Sequence, residues 1–296
     1  MTDHTENAKG FIDNAIESWI YVGPYLLVFF IIFSVLAYFT PCNKGQPILH
    51  RGTVTDLLYG LIIPLFSRYV NLVFLIIGFS IFFYGTPSDK LQDYVTNGHG
   101  VLGELPQWVQ AAAVFLLSDI LLYWTHRLFH TPRMWRWHAI HHSSKMVDWL
   151  TSYRFHPINI WLSFTLVDIS MLLLGFSPAA IGAMGFFNMA YSFMVHANLK
   201  WTFGPFRYVL ASPVFHRWHH TTQKEGLDKN FAPTFPLLDI MFGTFYMPEG
   251  KLPENYGVLG ADIPESFIGQ LIWPFKKENQ PKKRQKIPPA KTAEHI

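Results

Sequence analysis

The chain has 296 residues, of which half are hydrophobic, 17% aromatic and only 15% charged. A water-soluble domain carries about 25% charged residues, so this composition, with a mean hydropathy of +0.18, excludes a disordered chain and points to the membrane. A formal charge of +3 is too small for a nucleic-acid-binding surface, and a single cysteine, Cys42, excludes a disulfide framework, an iron–sulfur cluster and a thiolate zinc site.

A helix needs about 20 apolar residues to cross the hydrocarbon layer. Residues 19–39 meet that length without a charge, and their acidic leader argues against a cleaved secretory signal. A second apolar stretch covers 57–84, interrupted by Pro64 and Arg68. Its second half is expected to span, and its first half to be a broken or interfacial helix. A third runs from Trp108 to Trp124 and carries one acid, Asp119. The fourth and fifth, 160–176 and 179–195, are joined by Ser177-Pro178. Each is slightly short, which suggests a hairpin that does not fully cross. Nothing after Trp201 can span.

Lys and Arg gather on the cytoplasmic side of membrane proteins. Here they cluster at Lys44 and Arg51, between Arg127 and Arg154, and in the tail from Lys276, whereas the 85–105 loop is net acidic. With alternating spans, every positive cluster falls on one side. The expected fold is an all-α integral membrane protein with about four to five transmembrane or half-membrane helices and a cytosolic, histidine-rich helical cap. The expected organisation is an N-terminal transmembrane region (1–105), a histidine-rich catalytic domain (106–250) and a C-terminal segment with a basic tail (251–296).

Ten of the fourteen histidines lie between His126 and His220, where an even spread would place four or five. They form His126-Arg-Leu-Phe-His130, His138-Ala-Ile-His141-His142, His196 after the fifth span, and His216-Arg-Trp-His219-His220. Residues i, i+3 and i+4 share a helix face, so each motif aims several imidazoles one way. Imidazole is a common ligand for zinc, copper, iron and nickel. Unliganded neighbours would cost desolvation with nothing gained. Eight or nine clustered histidines exceed one ion's coordination, so two ions are expected. The isolated His4, His50, His99 and His295 read as ordinary interfacial polar residues.

These motifs, with Asp228-Lys-Asn-Phe231 and the 238–245 run LDIMFGTF, resemble the membrane fatty acid hydroxylase superfamily, which includes sterol desaturases, lipid hydroxylases and alkylglycerol monooxygenase. The resemblance covers about Asp119 to Phe245. It implies two non-haem iron ions, O₂ as co-substrate and a membrane lipid, sterol or fatty acyl substrate. It also implies His126, His130, His138, His141, His142, His216, His219 and His220 as ligands, with His196 as the ligand before the last triplet. Some members have a further histidine four residues after that one; here the position is Lys200. One iron then lacks a ligand, or His156 supplies it; otherwise His156 is expected to support a ligand or pack a loop.

Asp119 lies two helical turns before His126 and is expected either to accept the outer N–H of a ligand histidine or to sit buried with a Trp or Tyr donor. Asp228 and Asn230 are expected to orient ligands in the same way, and Asp239 to cap a turn. A metal transporter would place its ligands near the bilayer midplane, and a haem carrier would pair histidines on facing spans; neither fits histidines outside the spans. Hydroxylation and desaturation both begin by removing a hydrogen atom, and the residues leave that choice open. With no HPGG or GxGxxG signature and no cysteine cluster, the electrons are expected from a separate reductase, ferredoxin or cytochrome, with a pterin donor also open.

Overall fold

The computed structural model of the chain describes residues 2–276, which are helical with no strand among them. The basic tail beyond Lys276, with His295, lies outside the described residues. Helix α1 covers Thr2–Phe39, α2 Arg51–Phe82, α3 Gln107–Phe129, α4 Pro157–Leu174 and α5 Pro178–His196. Four of these, α2 to α5, are long and apolar enough to cross a membrane. At 1.5 Å per residue, the 18 residues of α4 and 19 of α5 reach about 27 and 28 Å, close to the hydrocarbon thickness of roughly 30 Å. Each helix begins at a proline, Pro157 or Pro178, ahead of the apolar stretch read from the sequence.

Helix α2 corrects a second expectation. It runs unbroken through Pro64 for 32 residues. Backbone groups in lipid have no water to bond, so the rest of the helix ladder is retained around the proline. Its start is fixed by His50, whose ring accepts the Gly52 N–H while Thr53 bonds back to the His50 N–H. The starts of α4 and α5 combine a capping side chain, His156 or Ser177, with proline in the first turn. Residues such as Leu72, Val73, Ile76 and Ile81 are exposed on α2, as expected where the solvent is hydrocarbon.

The two ends of the bundle differ. At one end, the 85–105 loop meets the α4–α5 link, where the His99 N–H donates to Gly175 O at 2.9 Å and the Ser177 N–H to Gln110 Oε1 at 2.9 Å. Gly98 (φ 84°) and Gly175 (φ 110°) allow this approach; a Cβ on Gly98 would stand 2.4 Å from Gly175 O. His99 packs there against Phe83 and Tyr94. At the other end, the C-termini of α1, α3 and α5 and the N-termini of α2 and α4 support a cap of short helices. These include Trp135–His138, α6 (Pro213–His219), α7 (Leu237–Met241) and α8 (Phe267–Ile272). The cap is tied down by Phe33 against Trp149 and Phe193, and by Tyr59 against Phe267. The 85–105 loop and the histidines thus occupy opposite ends, as the sequence pattern requires.

Candidate metal centre

Every histidine motif reaches this cap from a different element. His126 comes from the last turn of α3 and His130 is its C-cap, His196 is the final residue of α5, and His216, His219 and His220 come from α6 and its C-cap. Ser212 starts α6 by accepting the Phe215 N–H at 3.1 Å, with Pro213 following. The other triplet is not one helix. His138 ends the Trp135–His138 helix, and His141 and His142 occupy a separate 3₁₀ turn.

Nine imidazoles converge into two groups. His126, His130, His138, His142 and His219 form one, and His141, His196, His216 and His220 the other, with candidate ligand atoms within 4.8 Å of one another in each. Each adjacent pair of histidines divides between the groups. The rings of His141 and His142 stand at 89°, and those of His219 and His220 at 90°. Consecutive residues in a turn diverge, so each His-His dipeptide serves two centres at once.

The outer nitrogens fix the tautomers. Nδ1–H donates to Phe231 O from His126 (2.8 Å), to Asn159 Oδ1 from His138 (2.8 Å), to Ser192 O from His196 (2.7 Å), to Lys229 O from His219 (2.8 Å) and to Arg154 O from His141 (3.2 Å). Each Nε2 is therefore left as a lone pair aimed inward. His126 and His138 oppose their Nε2 atoms at 3.0 Å, as do His141 and His196 at 3.2 Å. Two lone pairs at that distance repel, and a cation between them converts repulsion into coordination. The buried Nε2 atoms of His142 and His219 have no hydrogen-bond partner. Burial, reinforced by the neighbouring imidazoles, holds His138, His141, His142, His216, His219 and His220 well below the ordinary histidine range. They are thus neutral, the form that binds metal. The donor set fits two metal ions.

The supporting residues differ in part from expectation. Asp228 does meet a histidine, accepting from His130 Nδ1 at 3.1 Å. Asn230 does not: its amide bonds Phe215 O, Tyr246 O and the Tyr246 N–H, fastening the loop to α6. His156 stands outside both groups, with Nδ1 capping α4 at Ile158 and Nε2 donating to Leu271 O at 3.2 Å. Asp119 touches no histidine, Trp or Tyr donor. Its carboxylate accepts the N–H groups of Thr234 (2.9 Å) and Phe235 (3.3 Å), because the loop after α6 folds back over α3 and presents two unpaired donors. Asp119→Ala should orphan both. At about 1–3 kcal/mol per buried donor, the variant is expected to unfold at lower denaturant with its capacity to bind metal retained. Loss of metal binding without loss of stability would oppose this assignment.

Sequence reasoning missed most of the partners because they are carbonyls. Residues 228–231 alone hold three histidines of one group, through Asp228 Oδ1, Lys229 O and Phe231 O. Asp228 (φ 55°) and Asn230 (φ 60°) adopt the left-handed conformation that shapes this strap, a conformation Asp and Asn tolerate best among residues with a Cβ. Asp239 is a fastener rather than only a turn cap, accepting from the Phe231 and Ala232 N–H groups at 2.8 Å each. Asn159 and the buried Asp56–Arg154 pair, which fixes the carbonyl facing His141, also escaped notice.

On the membrane side of the histidines, a cavity of about 210 Å³ lies between α3, α4 and α5. Its walls include His126, His138, His141, His196 and His216, so a molecule inside would touch both groups.

An apolar bundle that brings two buried imidazole clusters to one chamber defines a membrane protein equipped to hold metal beside that chamber. Residues 111–244 match the Fatty acid hydroxylase family, the family that the histidine motifs resemble. It is 29% identical to the ornithine lipid hydroxylase OlsE of Rhizobium tropici over 59% of this chain and 54% of that one. It is 29% identical to the alkylglycerol monooxygenase of Homo sapiens over 62% of this chain and 47% of that one. For the Delta(7)-sterol 5(6)-desaturase of Gibberella zeae the figures are 27%, 54% and 43%. The chain thus matches about half the length of these curated relatives. No solved structure matches it.

Proposed function

We propose that the chain is a membrane-bound non-haem diiron oxygenase that hydroxylates or desaturates a membrane lipid, sterol or fatty acyl chain, using O₂ and electrons from a separate donor. The observation that carries this reading is the pair of five- and four-histidine groups opening on one chamber between membrane-length helices. The relatives' names, a lipid hydroxylase, a monooxygenase and a sterol desaturase, support the reaction class. Iron held by His126, His130, His138, His142 and His219, and by His141, His196, His216 and His220, would supply the O₂-dependent oxidising power that side chains lack.

The chain's own residues do the rest. The Nδ1 bonds to carbonyls and to Asn159 keep the imidazoles in one tautomer and orientation. Phe129 and Phe155 join the histidines in the chamber wall and exclude water from the reacting chain. The decisive test is iron analysis of the purified protein together with lipid mass spectrometry of cells with and without it. Gain of one oxygen atom in a lipid marks hydroxylation, and loss of two hydrogen atoms marks desaturation. Stoichiometric iron with no altered lipid would favour a metal-binding protein without oxygenase activity.

The charges at the histidine end, Lys44, Arg51 and the cluster from Arg127 to Arg154, support a cytoplasmic location for it. Cysteines introduced at Asn97 and Lys224, both exposed and at opposite ends, should react with impermeant reagent from opposite sides, Asn97 from outside. Labelling of both from one side would refute the topology.

A further inference from the structure

Arg217 sits inside the His216–His220 motif on α6 and is wholly buried. Its Nη1 donates to Val147 O at 2.6 Å and to His196 O at 3.2 Å, and its Nη2 donates to Asn43 Oδ1. The Tyr256 ring covers the guanidinium at 4.8 Å, and its hydroxyl donates to the same Asn43 Oδ1 at 2.8 Å. Every one of these partners is neutral. Among the described residues no carboxylate pairs with Arg217. Asp148, next to Val147 in sequence, turns its carboxylate to His50 and to the Leu150 N–H. Burial pushes the Cys42 thiol and the Tyr256 phenol up, so neither supplies a negative charge. The carbonyl end of α5 favours a cation, but it is a partial charge only. An uncompensated buried charge is strongly unfavourable, and the fold keeps this one beside a candidate ligand.

The two histidine groups differ in their charged neighbours. The four-histidine group meets two arginines, one through Arg154 O, which accepts from His141, and one through His196 O. Arg154 is neutralised by Asp56; Arg217 is not. The five-histidine group meets a carboxylate instead, Asp228 on His130 Nδ1. Lys229 offers that group only its carbonyl and sends its ammonium to Gly243 O at the surface. One group is therefore biased negative and the other positive.

We propose that Arg217 is a fixed cation that sets the two metal sites apart, weakening the hold of the four-histidine group on its ion so that the five-histidine group fills first. Repulsion between the guanidinium and a divalent ion acts in the same direction as the smaller number of ligands. The proposal rests on the two-ion reading of the histidines and not on oxygenase activity.

The full chain is purified, freed of metal by chelation and titrated with Co²⁺, whose visible absorption reports imidazole coordination. Wild type should take up two ions in separate steps, and His220→Ala should erase the weaker one. Asn43→Asp sets a carboxylate against the guanidinium and gives up only the amide bond to Pro253 O. The guanidinium lies within one residue's length of the ion held by His196. At the effective dielectric of a protein interior, cancelling a unit charge there should tighten the weaker step by about tenfold or more. Asn43→Ala removes the same amide without adding charge and should not tighten it. If Asn43→Asp fails to fold, Arg217→Met is compared with Arg217→Lys; only the variant without the charge should tighten the weaker step. An unchanged or weakened second step in folded Asn43→Asp, or equal tightening in Asn43→Ala, would overturn the role of the charge and leave the two-ion reading standing. A chain that takes up one Co²⁺ or none would remove both.

Discussion

Replacing His142 or His219 with alanine is expected to strip metal from the protein and abolish product. Both belong to the five-histidine group, and both point a buried, partnerless Nε2 inward. His219 is further pre-set by its bond to Lys229 O, so no neighbouring side chain can replace it without rebuilding the 228–231 strap. Changing a group that only orients a ligand typically costs 10- to 100-fold in metal affinity or activity, and removal of a ligand itself should exceed that. The informative control is His156→Ala. That histidine lies in the same sequence window, is buried, and is pushed down to about 4 by burial despite its bond to Leu271 O. It caps α4 instead of joining either group. His156→Ala should keep its iron and lose about 1 kcal/mol of stability, the usual cost of a helix cap. Iron content by elemental analysis and stability by denaturant titration separate the two cases. Full iron and turnover in His142→Ala would dispose of the metal-centre assignment.

The contrast between His156 and its neighbours shows where sequence stops being informative. The nine histidines of the two groups were legible because the chemistry resides in the side chain and recurs at helical spacing. His156 shares the residue type and the region, and only packing against α8 takes its ring elsewhere. The splitting of each His-His pair between two groups follows from backbone divergence, yet the break between His138 and the 141–143 turn has no sequence marker. Asp119 was legible as a buried acid but expected beside a ligand histidine or a Trp or Tyr donor; its partners, two N–H groups from a loop more than a hundred residues away, were not legible. The same holds for the spans. Apolar length placed the four spans α2 to α5, whereas the expected first span at 19–39 has only a shorter apolar stretch, Gly23–Phe39, within α1; the continuity of α2 through Pro64 depends on hydrocarbon surroundings, which the proline itself does not report.

The second large effect is expected at a residue far in sequence from the histidines of both groups. Asp56, in the first turns of α2, is fully buried and receives Arg154 Nε at 2.5 Å, while Arg154 also donates to Gly52 O and Ser143 Oγ. The backbone carbonyl of Arg154 accepts from His141 Nδ1. One ion pair therefore locks α2, the 141–143 turn and a member of the four-histidine group to one another. Asp56→Ala would leave a buried guanidinium without its counter-charge, a change that costs about 3–5 kcal/mol. The variant should unfold at much lower denaturant and should lose iron preferentially from the group containing His141. Replacing both partners together, as Asp56→Leu with Arg154→Met, removes the stranded charge and should recover most of the stability, since apolar substitutes of similar volume are often neutral. Orientation of His141 would then depend on the backbone alone, so iron affinity should recover less than stability does. Equal recovery of both would mean that the pair only holds the fold together. An Asp56→Ala protein as stable as wild type would show that Arg154 finds another partner, and the link from α2 to the metal centre would fall with it.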